Sequence, residues 1–294
     1  MKALHGKSRP ARRLKIFWKR NYAILLTGIF LLVIGCYALH IEPRLRKIRE
    51  IEFSSPAVTG DVDGLTIAFV ADIHLNELQM QELPETIEII NQRKADIILL
   101  GGDFVNGNGT GPDAQVLIKY LQKLSAPLGV YAVPGNHDVR RGIEPVKAAF
   151  AGSHIKLLQD QNVIIDAGRG RRFNLIGLDY HTNPHRQNDP QRIRQLIEPD
   201  MFNLVLTHTP ADFKFMNDDV DLVLAGHTHG GQLNIPFLGS VINPAIGRKY
   251  NYGLIREGRK SMYVTCGLGS AYAPARLAMR PEIVFITLKN QPEK

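Results

Sequence analysis

Eight side chains with metal-binding or acid–base chemistry stand at five places where an apolar run stops. They are Asp72 and His74, Asp103, Asn136 and His137, His208, and His227 with His229. Carboxylates, imidazoles and an amide oxygen suit borderline divalent ions such as Mn, Fe, Zn or Co. The spacings Asp72-x-His74 and His227-x-His229 put alternate residues on one side of an extended chain, where both can face one pocket. With His137 set aside, seven ligands exceed what one tetrahedral zinc takes; they suit two ions sharing a bridging carboxylate. Taken singly, each residue has an ordinary explanation. An Asp after a strand caps a turn, and Pro134-Gly135 with Asn136 and Asp138 are common turn residues. The recurrence at five strand ends is what points to a site.

The elements that must position these residues follow from hydrophobic patterning. Leu65–Ala71, Asp96–Leu100 and Gly129–Val133 are short, nearly continuous apolar runs, as expected of strands buried on both faces. Helices are predicted between them, near 83–93 and over 114–124, the second capped by Asp113. This alternation predicts a βαβαβ unit with a parallel sheet, and such sheets bind ligands beyond the carboxyl ends of their strands. A helix near Glu144–Phe150 and more alternating strands at Asn162–Asp166 and Phe173–Leu178 follow. Residues 179–198 read as a long polar loop with one short helix, and a long loop in a compact domain is often functional. Leu204–Thr207 and Leu222–Ala225 are further apolar strands that deliver His208, His227 and His229. Tyr263–Thr265 and Ile283–Leu288 are predicted as closing strands.

Asp72-x-His74, Gly102-Asp103, Gly135-Asn136-His137-Asp138, His208 and Gly226-His227-Thr228-His229 resemble, in order, the five motif blocks of the calcineurin-like metallophosphoesterases. The resemblance covers roughly residues 65–288. It implies an α/β fold, a four-layer α/β/β/α sandwich, and a metal-dependent phosphoric-ester or pyrophosphate hydrolase. It implies Asp72, His74, Asp103 and His229 on a first divalent ion and Asp103, Asn136, His208 and His227 on a second, Asp103 bridging. In such a centre two ions about 3.5–4 Å apart acidify a water and clamp the phosphate. His137 is then placed to protonate the leaving oxygen. Asp138 is a candidate to orient it, or equally a cap for the following turn.

Departures narrow the substrate. Phosphoprotein phosphatases of the family continue the second block as Gly-Asp-x-x-Asp-Arg, whereas this chain reads Gly102-Asp103-Phe104-Val105-Asn106-Gly107. The missing Asp-Arg pair argues against a phosphoprotein. The block His227-Thr228-His229-Gly230-Gly231-Gln232, with Arg276 and Pro281-Glu282, is similar to the membrane-associated bacterial branch. That branch contains YkuE-like and YaeI-like phosphodiesterases and a UDP-2,3-diacylglucosamine pyrophosphatase of lipid A synthesis. Arg140, Arg141, His181 and Arg276 are candidate substrate contacts. His185 and Arg186 could act in the same way from the long loop. Each of these has a solvated-charge alternative, and the Arg169–Arg172 cluster is expected to face solvent. Family members that serve as scaffolds usually lack ligands or the acid histidine, and none is missing here.

The net charge of +8 is unevenly spread. Residues 1–50 hold twelve Lys/Arg and two acids, while the rest holds 24 basic and 26 acidic residues. The surplus flanks 21 uncharged residues between Arg20 and Glu42, long enough to cross a bilayer, with Trp18 and Tyr22 as interface anchors. That distribution predicts a membrane partner and no nucleic-acid groove. Arg12-Arg13 and Val33-Ile34-Gly35-Cys36 offer a cleaved-signal alternative, but the apolar run continues past Cys36, so an uncleaved anchor is expected. The expected organisation is a basic tail over 1–21, a span over 22–41, a connector over 42–64 and a catalytic domain over 65–290. The expected location is a bacterial inner membrane. The eight basic residues before the span place the domain outside, whereas a lipid A role requires the cytoplasmic side. A disulfide between Cys36 and Cys266 is not expected, and no obligate protein partner is evident.

Overall fold

The computed structural model describes residues 9–291 except 61, 110, 169, 188, 236–237, 241–247 and 272. Lys2 and Lys7 of the basic tail, Asp61 of the connector turn and Arg169 of the arginine cluster lie outside the described residues.

Helix α1 (Arg9–Cys36) leads through a π-helical turn, Tyr37–Ile41, and a short 3-10 turn to strand β1 (Lys47–Ser55). Next come β2 (Thr66–Val70), α2 (Glu77–Gln92), β3 (Ile97–Leu100), α3 (Ala114–Leu121) and β4 (Val130–Ala132). Helices α4 (Asn136–Arg141) and α5 (Ile143–Ala151) precede β5 (Lys156–Leu157), β6 (Gln161–Asp166) and β7 (Arg172–Gly177). The long loop carries two short helices, α6 (Pro184–Gln187) and α7 (Pro190–Arg194), before β8 (Asn203–Leu206) and β9 (Leu222–Ala225). A small hairpin, β10 (Asn234–Ile235) and β11 (Gly239–Ser240), precedes β12 (Gly253–Glu257), β13 (Lys260–Val264) and β14 (Glu282–Asn290).

Two six-stranded sheets result, ordered β1-β14-β2-β3-β4-β5 and β12-β13-β9-β8-β7-β6. Strands β2 to β5 run parallel, as the βαβ alternation predicts, but β14 pairs antiparallel with β2. Apolar side chains of both sheets, among them Phe69, Leu99, Leu175, Leu206 and Leu224, form one buried cluster. A second cluster joins the first sheet to α2, α3 and α5 through Leu83, Ile87, Leu117 and Phe150. The helix starts follow local chemistry. Asn76 accepts the Gln79 N–H at 3.0 Å and Asp113 the Val116 N–H at 3.1 Å, each satisfying a first-turn donor.

Three differences from the sequence reading have physical causes. The stretch expected as a connector contains β1, which pairs along its length with β14. Its charges hid it, and charges are how an exposed edge strand avoids pairing with other chains. Strand β12, absent from the sequence expectation, is likewise a half-exposed edge without a continuous apolar run. The 179–198 loop has two short helices instead of one, the second started by Pro190 with Asp189 accepting the Gln191 N–H.

Among the described residues one helix, Asn21–Arg44, is long and apolar enough to cross a membrane, and an N-terminal signal sequence has the same character. Its far end is knitted into the body. In the π turn the Glu42 N–H bonds Tyr37 O, which frees Ala38 O to accept the Arg276 N–H at 2.9 Å.

Candidate metal centre

The five strand ends converge. Leaving β2, Asp72 and His74 donate their N–H groups to the carbonyls of Gly102 and Asp103, both at 2.9 Å, which fastens two of the bends together. The bends are sharp. Nine described non-glycine residues have positive φ, and five of them are Asp72, His74, Asp103, His227 and His229. Such backbone costs about 1–3 kcal/mol per residue and collects at functional sites. Glycine serves here by lacking a side chain. A Cβ on Gly135 would lie 2.2 Å from Asp103 Oδ1, and one on Gly102 would lie 2.7 Å from Gly135 N.

The ligand atoms form two groups. In the first, His74 Nε2 and His229 Nε2 are 3.1 Å apart, and His229 Nε2 is 3.6 Å from Asp72 Oδ1. In the second, Asn136 Oδ1 lies 2.9 Å from His208 Nε2 and 2.6 Å from His227 Nδ1. Asp103 Oδ2 belongs to both, 3.5 Å from His74 Nε2 and 3.3 Å from His208 Nε2. Its other oxygen accepts the His137 N–H at 2.7 Å, so the shared oxygen is held between the groups. The Asp72 carboxylate is fixed by the His227 N–H, 3.0 Å from each oxygen.

The donor chemistry fits cations. His208 Nδ1 lies 2.8 Å from Gly101 O and carries its proton there, so Nε2 presents a lone pair to Asn136 Oδ1 in the neutral ring. Lone pairs held at such distances repel unless a positive charge lies between them. His74 Nδ1 and His229 Nδ1 are buried without a hydrogen-bond partner among the described residues, so those two rings gain little from the protein itself. Burial pushes His74 and His227 down to about 3, and His229 well below its ordinary value. Neutral imidazole is the form that ligates. Burial also opposes charge on Asp103, but the neighbouring His208, His74 and His137 outweigh it and hold that carboxyl below its usual range. For His208, burial is outweighed by Asp103, and the ring rises to about 9. A proton on His208 thus does in the bare protein what a divalent ion would do beside Asp103. Burial raises Asp72 to about 7, and the positive charge of a cation would reverse that shift.

His137 borders the first group, its ring T-shaped to that of His74 with centroids 4.6 Å apart. Its Nδ1 accepts the Gly107 N–H at 3.0 Å, which leaves the ring proton on Nε2. Burial lowers its pKa. Gly107 was not singled out in the sequence, because a backbone donor leaves no mark on residue type. The Tyr180 ring lies 6.2 Å from that of His208, another neighbour that the sequence marks only faintly. An aromatic residue directly after a strand-terminal Asp was its only signal.

Four expected site residues have other partners. Asp138 is not placed to set the tautomer of His137. Its Oδ2 accepts the Gly135 N–H at 2.8 Å, and its Oδ1 accepts those of Phe104 and Val105 at 2.8 and 3.1 Å. It ties α4 to the loop after Asp103, close to the capping alternative. Arg276 is fully buried, and its guanidinium donates to the carbonyls of Cys266, Gly267, Gly269 and Met279. It shapes a loop instead of meeting substrate. His181 Nε2 is 2.6 Å from Asp160 Oδ2, an anchor for the long loop. Arg141 donates to the carbonyls of Asn106 and Gly111. Arg140 is exposed, with its stem over Gly107 beside His137. His185 and Arg186 are exposed on α6.

Residues 65–231 match the family model described as calcineurin-like phosphoesterase. The metallophosphoesterase YkuE of Bacillus subtilis is 31% identical over 259 residues, 86% of this chain and 89% of that one. Phosphodiesterase YaeI of Escherichia coli is 32% identical over 76% of this chain and 81% of its own. Among solved structures, a 5'-nucleotidase precursor from Thermus thermophilus superposes with a TM-score of 0.45 at 15% identity, covering 76% of this chain and 54% of that one. Two acceptor clusters sharing Asp103 are the arrangement that a metal-dependent phosphoester hydrolase with two ions needs. On that centre, the family match and the two relatives, the chain belongs to the calcineurin-like metallophosphoesterases.

Proposed function

We propose that the protein hydrolyses a phosphodiester or pyrophosphate bond of a lipid-linked nucleotide such as UDP-2,3-diacylglucosamine. It does so from a single-pass anchor in a bacterial inner membrane, on a four-layer α/β/β/α sandwich. One observation carries the lipid-linked reading. The end of the apolar helix bonds, through Ala38 O, to the residue whose guanidinium organises the loop against Asp72. In that loop a Cβ on Gly267 would lie 2.5 Å from Asp72 Cβ, so the loop that the helix end touches packs directly against a first-group ligand.

Asp72, His74, Asp103 and His229 would hold one ion, and Asp103, Asn136, His208 and His227 the other. Bound, such a pair supplies electrostatic stabilisation of a phosphoryl group and acidification of a water. The protein's own groups do the rest. His137 holds a proton at Nε2 at the edge of the first group, where it donates to the leaving oxygen. Arg140, exposed beside it, meets a substrate phosphate. Asp138 keeps Gly135 and the loop after Asp103 in place, so that the ligands do not reorganise during the reaction.

A second reading, a general extracytoplasmic phosphodiesterase, is favoured by the eight basic residues before the span and none of the opposite sign. The intact ligand set argues against a third, a non-catalytic scaffold. The test is a substrate panel with the full-length, metal-loaded protein in mixed micelles. It sets nucleotide-diphosphate lipids against cyclic nucleotides and simple diesters. A kcat/KM at least about tenfold higher for the nucleotide lipid is expected, a margin that a few apolar contacts can supply. Equal turnover of all three overturns the lipid-linked reading. Cleavage of the domain by protease added to spheroplasts moves it outside and selects the second.

A further inference from the structure

A cavity of about 530 Å³ opens where the apolar helix meets the body, bounded by Tyr37, Glu42, Lys47, Tyr252, Met279 and Arg280 among others. It belongs to neither ligand group. Its position along the helix is informative. Tyr37 and Glu42 fall inside the apolar segment Asn21–Arg44. At about 1.5 Å per residue, Glu42 lies about 32 Å along that segment from Asn21, just past an apolar core about 30 Å thick. If the helix spans, the cavity opens among the lipid headgroups. Leu39, Ile41, Leu45 and Ile48 are exposed on the chain around it.

The lining suits a phosphate with an apolar tail. Lys47 is exposed at the start of β1, and no hydrogen bond or ion pair occupies its amine among the described residues. Arg280 is pinned by bonds from Nε to Leu45 O at 2.6 Å and from Nη2 to Arg46 O at 3.2 Å, which fixes its charge at the mouth. Glu42 Oε1 accepts the Met279 N–H at 2.7 Å, and the lining holds two cations, Lys47 and Arg280, to this one carboxylate. Tyr252, in the lining, donates its hydroxyl to Glu282 at 2.7 Å, which holds its ring in place. Ala278, also in the wall, holds a left-handed φ of 54°, a conformation that collects at ligand-binding loops.

We propose that this cavity binds the phosphate of an anionic membrane lipid, with Lys47 and Arg280 as its cationic contacts. The inference rests on the anchor reading above but not on the identity of the substrate. Bound lipid would press on Met279, whose side chain covers Gly230, the neighbour of His229; a Cβ on Gly230 would lie 2.7 Å from Met279 Sδ. Membrane docking is thereby tied to one wall of the metal centre.

The test uses the full-length chain in nanodiscs of mixed phosphatidylglycerol and phosphatidylcholine, with retained lipid read by native mass spectrometry after release. Retention of phosphatidylglycerol over phosphatidylcholine is expected. Lys47→Glu should lower it about tenfold, one charge-assisted contact reversed, while Lys47→Arg preserves it. A thermal midpoint of Lys47→Glu equal to that of the unaltered chain shows the variant folded. Equal retention of both lipids, or retention indifferent to Lys47→Glu, overturns the proposal. Displacement of the lipid by inorganic phosphate alone overturns the lipid source and assigns the cavity to a free anion. A chain that fails to float with vesicles sinks the anchor reading; one that floats yet retains no anionic lipid sinks only the cavity.

Discussion

The Cβ position of Gly135 lies 2.2 Å from Asp103 Oδ1. The carboxylate shared by the two ligand groups is therefore seated against bare backbone. Gly135→Ala should displace Asp103 and release metal from both groups. Turnover should fall by about 100-fold or more, in line with other losses of ligand support. Metal analysis of the purified variant beside its activity checks this; full metal content with full activity would show that the bend has slack.

His137 and Asp138 are adjacent but do different work, and leaving-group dependence separates them. His137→Ala should cost about 100-fold or more on a poor leaving group such as an alkoxide, and much less on a nitrophenolate that departs unaided. Asp138→Asn turns one acceptor oxygen into a donor, set against either the Gly135 N–H or those of Phe104 and Val105. It should lower stability by about 1–3 kcal/mol and slow both substrates by the same factor. A leaving-group-dependent loss in Asp138→Asn would restore it to an orienting role.

Arg276 is a buried cation whose side-chain partners among the described residues are backbone carbonyls. Arg276→Lys offers fewer donors in the wrong geometry and should cost about 3 kcal/mol, read as a lower thermal midpoint. Because the loop it holds abuts Asp72, metal affinity should fall as well. Unchanged stability would mean that the loop keeps its shape without the guanidinium.

The long loop is fastened by Asp212, which accepts from Thr207 Oγ1 and Gln187 Nε2, both at 2.6 Å. Burial raises its carboxyl from 3.8 to about 6, against the pull of Arg192. In the unfolded chain the carboxyl loses its proton near 3.8, while the folded protein keeps it until about 6. The unfolded state therefore binds fewer protons between those values, and stability falls as pH rises through them, by at most about 1.4 kcal/mol per pH unit. Asp212→Asn should flatten that part of the stability profile. Denaturant melts across this range check it, and an unaltered slope in the variant would refute the assignment.

The polar strand ends, the strands that carry them and the apolar helix were all readable from sequence, and the reason is local. A strand buried on both faces is a run of apolar residues, and a polar side chain directly after it has one place to go, the carboxyl edge of the sheet. The family resemblance joined those ends into a reaction. Local pattern says nothing about what a buried polar group meets. Asp138, Arg141, His181 and Arg276 have the residue types of catalysis and recognition, yet their partners are backbone groups or, for His181, the carboxylate of Asp160. Strand β1 was hidden by the charges of an exposed edge, and its pairing with β14 spans almost the whole chain. Only the tertiary structure decided which oxygen of Asp103 is shared, which histidine nitrogen is left for a cation, and where the apolar helix ends on the body. Each depends on groups far apart in sequence being brought within hydrogen-bond distance, which composition and spacing do not encode.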